Sequence, residues 1–300
     1  MTKDLGQPAL LTAIVPLTRM VGRLENLRSW INLVAEYSIQ LIIIHDVQDE
    51  ATSAELRKLI SDENCQQIEL VEDFFGAPGL ARNAGVDLAK GNWVTFWDSD
   101  DVPQVHKVMS MLNSFNDVDV ECVIGGYSTV NELSGEVEEI ILPMNFLESI
   151  ALNPGIWRFA FKRKSLGGLR FSNLLMAEDQ LFLAEYEVFT RKIATYDHSV
   201  YNYYVGGNFH LTQQQKALKH ILLSVEETFK ILRRTSDLSF HFVSILLWRQ
   251  IATGVRHLGL SARVKMIRIL LRGMYNLPRN RYPQICRAFC FTFKNMRNAK

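Results

Sequence analysis

The sequence predicts an α/β protein, a mainly parallel sheet with helices on both faces, followed by a C-terminal helical region. Three observations carry this. Short, almost continuous apolar runs alternate with segments of helical period over the first hundred residues, and strands that apolar are covered on both faces, as parallel strands between helical layers are. Polar residues gather just past the ends of these runs, at Asp46 and at Asp98–Asp101, which is the edge where open parallel sheets bind ligands. From residue 213 onward the period is helical and the character basic.

The elements follow in order. Leu10–Val15 is a buried strand that Pro16 is expected to end. Residues 23–36 place Leu24, Leu27, Ile31 and Val34 on one helix face. Gln40–Ile44 is a second strand, ending at His45-Asp46. Ser53–Ile60 is a helix with Ser53 as its N-cap. Ile68–Val71 is a third strand, and residues 79–89 form a helix stopped by Gly91. Trp93–Trp97 is a fourth strand running into Asp98-Ser-Asp-Asp101. Further on, Cys122–Gly125, Glu138–Leu142 and residues 193–205 read as strands, and residues 173–190 as a helix.

The chain has 300 residues, 48% hydrophobic and 22% charged, which supports a sizeable core and excludes disorder and fibrous repeats. No window reaches the ~18 uncharged apolar residues of a membrane span, and the N-terminal run is too short for a signal peptide. A cytoplasmic protein is therefore expected. The four cysteines, Cys65, Cys122, Cys286 and Cys290, are scattered and need no disulfide; Cys286 and Cys290, four apart in an apolar stretch, read as small buried hydrophobes rather than metal ligands. The net charge of +1 hides an asymmetry. Residues 1–212 carry 16 Lys+Arg against 29 Asp+Glu, and residues 213–300 carry 17 against 3. The two parts therefore suit different partners.

The chemistry concentrates in Asp98-Ser-Asp-Asp101. Three carboxylates within four residues repel one another, and a cation that prefers oxygen relieves the repulsion. Mg²⁺ or Mn²⁺, held by one or two carboxylates and by substrate phosphates, fits. A second acidic pair, Glu178-Asp179, lies among apolar residues of the expected 173–190 helix.

Taken together, Gly79-Leu-Ala-Arg-Asn-Ala-Gly85, Ala89-Lys-Gly91 and Val94-Thr-Phe-Trp-Asp-Ser-Asp-Asp101 resemble the donor-binding half of family 2 glycosyltransferases of the GT-A fold. Residues 14–16 (IVP) are similar to that family's opening strand, and 42–46 (IIIHD) to its second. FKRKSLGGLRFSNLLMAEDQLFL is similar to its acceptor half, and YNYYVGGNFHLT at 201–212 to the segment that closes the site. The resemblance covers about residues 10–212. It implies a GT-A catalytic domain over 1–212, with a donor-nucleotide half at about 10–120 and an acceptor half at 121–212; the basic helical region at 213–300, read from its period and charge, follows it.

The resemblance also implies residue roles. Pro16, Asp46, Arg82, Asp98 and Ser99 would bind the donor, with Asp46 at the base, Arg82 on the base or ribose side and Asp98 at the ribose or sugar. Asp100 would ligate the metal, with Asp98 and His210 as further candidate ligands. Asp179 would be the catalytic base, with Glu178 beside it. Trp157 is a candidate for stacking on an acceptor sugar, the alternative being core packing. The sequence departs from the family at two places. His45-Asp46-Val47-Gln48 replaces a DDGS-like run, and Leu17-Thr18-Arg19 replaces a small-aromatic-Asn run. Arg19 or Arg23 is either a phosphate or base contact or a surface arginine.

The implied activity is inverting transfer of a sugar from a nucleotide-diphospho-sugar donor to a glycan or lipid-linked glycan, in surface polysaccharide biosynthesis. A helix near 262–275 carries Lys265, Arg268 and Arg272 in a narrow arc. That suits an anionic inner-membrane surface, with the protein peripheral on the cytoplasmic face. A helical bundle packed on the catalytic domain is the other reading of the tail. No base-reading motif points to nucleic acid. Two alternatives remain: a haloacid-dehalogenase-type phosphohydrolase with Asp98 as nucleophile, and a non-catalytic nucleotide-sugar-binding membrane scaffold.

Overall fold

The computed structural model describes residues 9–37, 39–47, 50–62, 68–142, 146–206 and 215–298. The chain divides into two compact units. One comprises Met1–Leu142, Ile156–Gly168 and Lys192–Gly207, the other Pro143–Gly155, Leu169–Arg191 and Asn208–Lys300.

The first unit holds β1 (Leu11–Leu17), α1 (Glu25–Ile31), β2 (Ile39–Asp46), α2 (Glu50–Asp62), β3 (Ile68–Asp73), α3 (Pro78–Leu88), β4 (Trp93–Phe96), β5 (Val102–Pro103) and α4 (Val105–Ser114). It also contributes β6 (Cys122–Asn131), β7 (Val137–Ile140), later β8 (Phe159–Lys162), and β9 (Ile193–Val205). The strands form one sheet in the order β3-β2-β1-β4-β8-β6-β9-β5, with β7 paired to β6. The β3-β2-β1-β4 half is parallel, as the apolar runs predict. Beyond β4 the sheet is mixed: β8 is antiparallel to both neighbours, and β6 and β9 run parallel.

The period-2 alternation of β1 shows both faces covered. Leu11, Ala13 and Val15 share a buried cluster with Leu27, Trp30 and Ile31 of α1, Leu56 and Leu59 of α2, and Val108 and Leu112 of α4. Ile14 points to the other face, against α3. There Gly85 packs so closely that a Cβ would lie 2.4 Å from Ile14 Cγ2. Gly91 approaches β1 in the same way: its N–H donates to Thr12 Oγ1 at 2.8 Å, and a Cβ would lie 2.5 Å from the Thr12 backbone nitrogen. The two motif glycines are therefore docking points of α3 and its exit turn on the central strand.

Several local expectations are corrected. Pro16 lies inside β1, opposite Ile44 of β2. The β4 pairing on the other side ends at Ile14, so the missing N–H interrupts no ladder there. Ser53 is inside α2 rather than its N-cap, and its Oγ lies 3.3 Å from His45 Nδ1. Residues 23–36 are a short α-helix continued by a 3₁₀ turn over Asn32–Glu36, with the four expected apolar positions buried.

The second unit is helical. In chain order across both units, α5 (Phe146–Leu152) belongs to it, α6 (Arg163–Leu166) to the first unit, and α7 (Glu178–Tyr186), α8 (Gln215–Arg234), α9 (Asp237–His257), α10 (Leu260–Tyr275) and α11 (Tyr282–Asn298) again to the second. The expected helix over 173–190 is only α7 and a following 3₁₀ turn. Helix α9 is the centre of the unit: α5, α7, α8 and α11 pack on it, Thr228 of α8 donates to Gln250 at 2.9 Å, and Trp248 Nε1 donates to Ile285 O at 3.0 Å. Ser236 caps α9, accepting from Ser239 N. Among the described residues no helix is long and apolar enough to cross a membrane. Cys122 is buried, but Cys286 and Cys290, expected to be buried, are exposed. On α11 the inward positions are Ile285, Ala288 and Thr292, which turns both cysteines outward. Cys65 lies outside the described residues.

Candidate active site

The acidic cluster begins where β4 ends. Trp97 N donates to Ile14 O at 3.0 Å, so the chain stays fastened to β1 until it turns into Asp98. Each member of the cluster is then held differently. Asp98 accepts from Arg82 Nη2 of α3 at 2.8 Å, and its backbone N–H donates to Tyr201 Oη at 3.0 Å. Ser99 is buried. The Asp100 carbonyl accepts from Asn26 Nδ2 at 2.6 Å and the Asp101 carbonyl from Trp30 Nε1 at 3.3 Å. Asp101 is 2% exposed, and its Oδ1 accepts from Tyr204 N of β9 at 2.8 Å. Helices α1 and α3 and strand β9 thus fix a turn whose Asp98 and Asp100 side chains remain only half-buried.

The electrostatics follow from this placement. Burial raises the pKa of Asp98; Arg82 opposes that and Asp100 adds to it. Burial lifts Asp101 well above the usual carboxylate range, with repulsion from Asp100 and Asp98 behind it and the Tyr204 N–H and Tyr201 hydroxyl pulling the other way. Tyr201, buried beside the same carboxylates, is likewise pushed well above a normal phenol. The cluster carries more negative charge than its surroundings stabilise. Among the described residues no three His, Cys, Asp or Glu side chains form a ready-made cage for an ion. One or two half-buried carboxylates facing a phosphate-bearing ligand is the donor set Mg²⁺ or Mn²⁺ accepts, so the residues fit such a cation.

A second feature lies at the end of β2. Both oxygens of the buried Asp46 carboxylate receive backbone N–H groups, from Phe75 at 2.9 Å and Gly76 at 3.0 Å. Gly76 is left-handed at φ +72, a conformation glycine adopts without strain. Asp46 therefore anchors the loop that leads from β3 into α3, and Phe74 on that loop is 73% exposed. Thr18 Oγ1 donates to the Asp46 carbonyl at 3.1 Å, which ties the end of β1 to the same point. Just beyond, Arg19 is exposed and left-handed at φ 52, an uncommon conformation for a residue with a Cβ. Pro16 is partly exposed at the same end of β1.

The acidic pair sits in the second unit. Ala177, left-handed at φ 65, turns the chain into α7, whose first turn is Glu178-Asp179. Glu178 is 7% exposed, and Asp179 Oδ1 accepts from Gln180 N at 2.8 Å. Leu175, which helical spacing over 173–190 would set beside the pair, precedes α7, while Leu181 and Phe182 follow on the helix and are buried.

Trp157 is 9% exposed. It stacks on Tyr201 at 4.5 Å and 13° and on Tyr203 at 5.4 Å and 14°, with Tyr127 edge-on at 4.9 Å. In this structure it packs the core behind the acidic turn. His210 lies outside the described residues. Arg82, Asp98, Asp100 and Asp101 are thus brought together, Asp46 and Pro16 stand at neighbouring strand ends, and Glu178-Asp179 belongs to the other unit.

The region built this way has known relatives. The model of glycosyl transferase family 2 matches residues 20–177, more than half of the chain. The chain belongs to glycosyl transferase family 2. It is 22% identical over 184 residues to glycosyltransferase GlyG of Streptococcus pneumoniae serotype 4, covering 55% of this chain and 61% of that protein. The chain therefore spans less than two thirds of that relative. Among solved structures, S. aureus TarS 1–349 in complex with UDP-GlcNAc aligns with a TM-score of 0.69 at 15% identity, over 95% of this chain and 88% of that one. The mannosyltransferase PcManGT from Pyrobaculum calidifontis, in complex with GDP-Man and Mn²⁺, aligns with a TM-score of 0.54 at 15% identity, over 98% of this chain and 88% of that one. The fold is the GT-A fold, and the family match leaves the phosphohydrolase alternative for Asp98 without a basis.

The sequence reading missed Tyr201, Asn26 and Trp30 as supports of the acidic turn. They lie 71 to 103 residues from their partners. Only the tyrosine-rich character of 201–204 hinted at one of them.

Proposed function

We propose that this protein is an inverting glycosyltransferase that moves a sugar from a nucleotide-diphospho-sugar to a hydroxyl of a glycan or lipid-linked glycan, in surface polysaccharide biosynthesis. The observation that carries this is the acidic turn at the end of β4, with Asp98 paired to Arg82 and Asp100 left half-buried, inside the stretch that matches the family. Donors of this class appear in the neighbours' complexes, UDP-GlcNAc in one and GDP-Man with Mn²⁺ in the other.

Each residue has a task set by the chemistry. Asp46 holds the β3–α3 loop by two N–H groups and so shapes the pocket for the nucleotide base. Arg82 keeps the Asp98 carboxylate oriented toward the donor, and Ser99 and Pro16 border it. Asp100, with Asp98, would hold Mg²⁺ or Mn²⁺, which supplies neutralisation of the charge that develops on the leaving diphosphate. Asp179 takes the proton from the attacking acceptor hydroxyl. Glu178, buried beside it, shapes the acceptor pocket. Direct displacement from the face opposite the diphosphate inverts the anomeric centre. The basic region 213–300 places the enzyme on an anionic membrane surface, where a lipid-linked acceptor resides.

Incubation with a panel of nucleotide-sugars and Mn²⁺, with nucleotide release as the readout, tests the reading. Release with at least one donor, abolished by chelator, is expected. No release from any donor with a glycan acceptor present would favour the non-catalytic scaffold.

A further inference from the structure

Helix α10 leaves an apolar stripe facing outward. Leu260, Val264, Ile267, Leu271 and Tyr275 are 79, 42, 56, 65 and 86% exposed. Steps of four, three, four and four residues keep all five within one narrow arc of a 3.6-residue helix. The other side of α10 is packed. Met266 is 2% exposed and lies so near α9 that a Cβ on Gly254 would sit 2.1 Å from its Cε. Gly273 presses on α8, where a Cβ would lie 2.4 Å from the Phe229 ring. The helix is clamped in its own bundle by one face, which fixes the stripe outward on the other.

The residues beside the stripe are cationic. Arg263, Lys265, Arg268 and Arg272 are all exposed, and α10 contains no Asp or Glu. At 100° per residue, Arg268, Arg272 and Lys265 fall along one flank of the stripe and Arg263 along the other. Large exposed apolar faces mark interaction sites, and the charge selects the occupant. A second copy pairing the same stripe by two-fold symmetry would bring like cations together. An anionic bilayer offers apolar chains to the stripe and phosphates to the flanks.

We propose that this outward face of α10 is the docking surface for an anionic lipid bilayer, the five apolar side chains entering the headgroup boundary and the four cations meeting lipid phosphates. It rests on the membrane reading of the basic region and assigns that contact to one face of one helix. The helix lies in the interface plane, as an amphipathic helix of this composition does.

The test is co-sedimentation of the full chain with vesicles of phosphatidylcholine plus phosphatidylglycerol, and with vesicles of phosphatidylcholine alone. Wild type should pellet with the anionic vesicles only, and less at high salt. Ile267→Ser with Leu271→Ser should weaken binding about tenfold or more, with an unchanged circular-dichroism melt because both positions are exposed. Arg268→Glu with Arg272→Glu should also weaken it. If wild type ignores anionic vesicles, the membrane reading itself falls. If wild type binds and the folded serine variant binds equally, the assignment to this face falls alone. Should the serine variant unfold, Leu260→Ser with Tyr275→Ser, at the two most exposed positions, replaces it; full binding by that folded variant also overturns the proposal. Light scattering that finds a wild-type dimer and a monomeric serine variant would assign the stripe to a second copy. None of these readouts uses sugar transfer, so a failure of the proposed reaction leaves them intact.

Discussion

Arg82→Gln should destabilise the protein in a way that depends on pH. The Arg82 and Asp98 side chains are 6% and 30% exposed, with 2.8 Å between Nη2 and Oδ1. Removing one partner of a fully buried ion pair costs about 3–5 kcal/mol. Asp98 keeps some contact with water, which screens part of the stranded charge, so about 2 kcal/mol is expected here. At roughly 2–4 °C per kcal/mol for chains of this size class, the melting temperature should fall by about 4–8 °C. The sign with pH follows from Asp98, whose pKa burial already holds above its usual value while Arg82 pulls it down. A carboxyl raised in the folded state contributes stability that is present below its unfolded pKa and lost as pH rises through the folded one. Without Arg82 the folded pKa rises further, so the loss should be larger at about pH 7.5 than at about pH 4.5. Asp98→Asn added to Arg82→Gln should recover part of it at the higher pH. Thermal melts of the two single variants and the double at both pH values measure this. Equal losses at both pH values, or strictly additive losses in the double variant, would refute the coupling.

Three further changes probe other parts of the structure. Asp179→Asn should leave nucleotide affinity intact and slow transfer ~10²–10⁴-fold, since only proton removal is lost; calorimetry beside a transfer assay separates the two, and a matching fall in affinity would make the residue donor-binding instead. Asp46→Ala frees the N–H groups of Phe75 and Gly76 and should weaken nucleotide binding more than it lowers turnover at saturating donor, read as a rise in KM with kcat little changed. Gly85→Ala drives a methyl into Ile14 and should cost about 1–3 kcal/mol in denaturant unfolding; an unchanged midpoint would mean that α3 does not depend on this close approach.

Much of the β3-β2-β1-β4 half of the sheet was legible because its physics is local. The strands are continuous apolar runs, and the glycines of the 79–91 stretch occupy the points where α3 and its exit turn meet β1. The acidic turn could be read from charge density at a strand end. What supports that turn could not, because Tyr201, Asn26 and Trp30 come from far along the chain. The late start of α7 was missed because residues 174–177 are apolar and of good helix propensity, while the chain bends at a left-handed Ala177. Pro16 was read as a breaker because sequence does not reveal that its unpaired side lies beyond the end of β4. On α10 the apolar residues nearly encircle the helix, so only the packing of Met266 and Gly273 tells the inner face from the outer.

In the proposed reaction, the turn at Asp98–Asp101 holds the diphosphate of a nucleotide-sugar through a divalent cation. Calorimetric titration of UDP and of GDP into wild type and Asp100→Asn, with and without Mn²⁺, tests it most directly. Wild type should bind one of the two at least ~tenfold more tightly with the cation than without, and Asp100→Asn should bind as weakly with Mn²⁺ as wild type does without it. Undiminished cation-supported binding in Asp100→Asn, or no binding of either nucleotide to wild type, would contradict it.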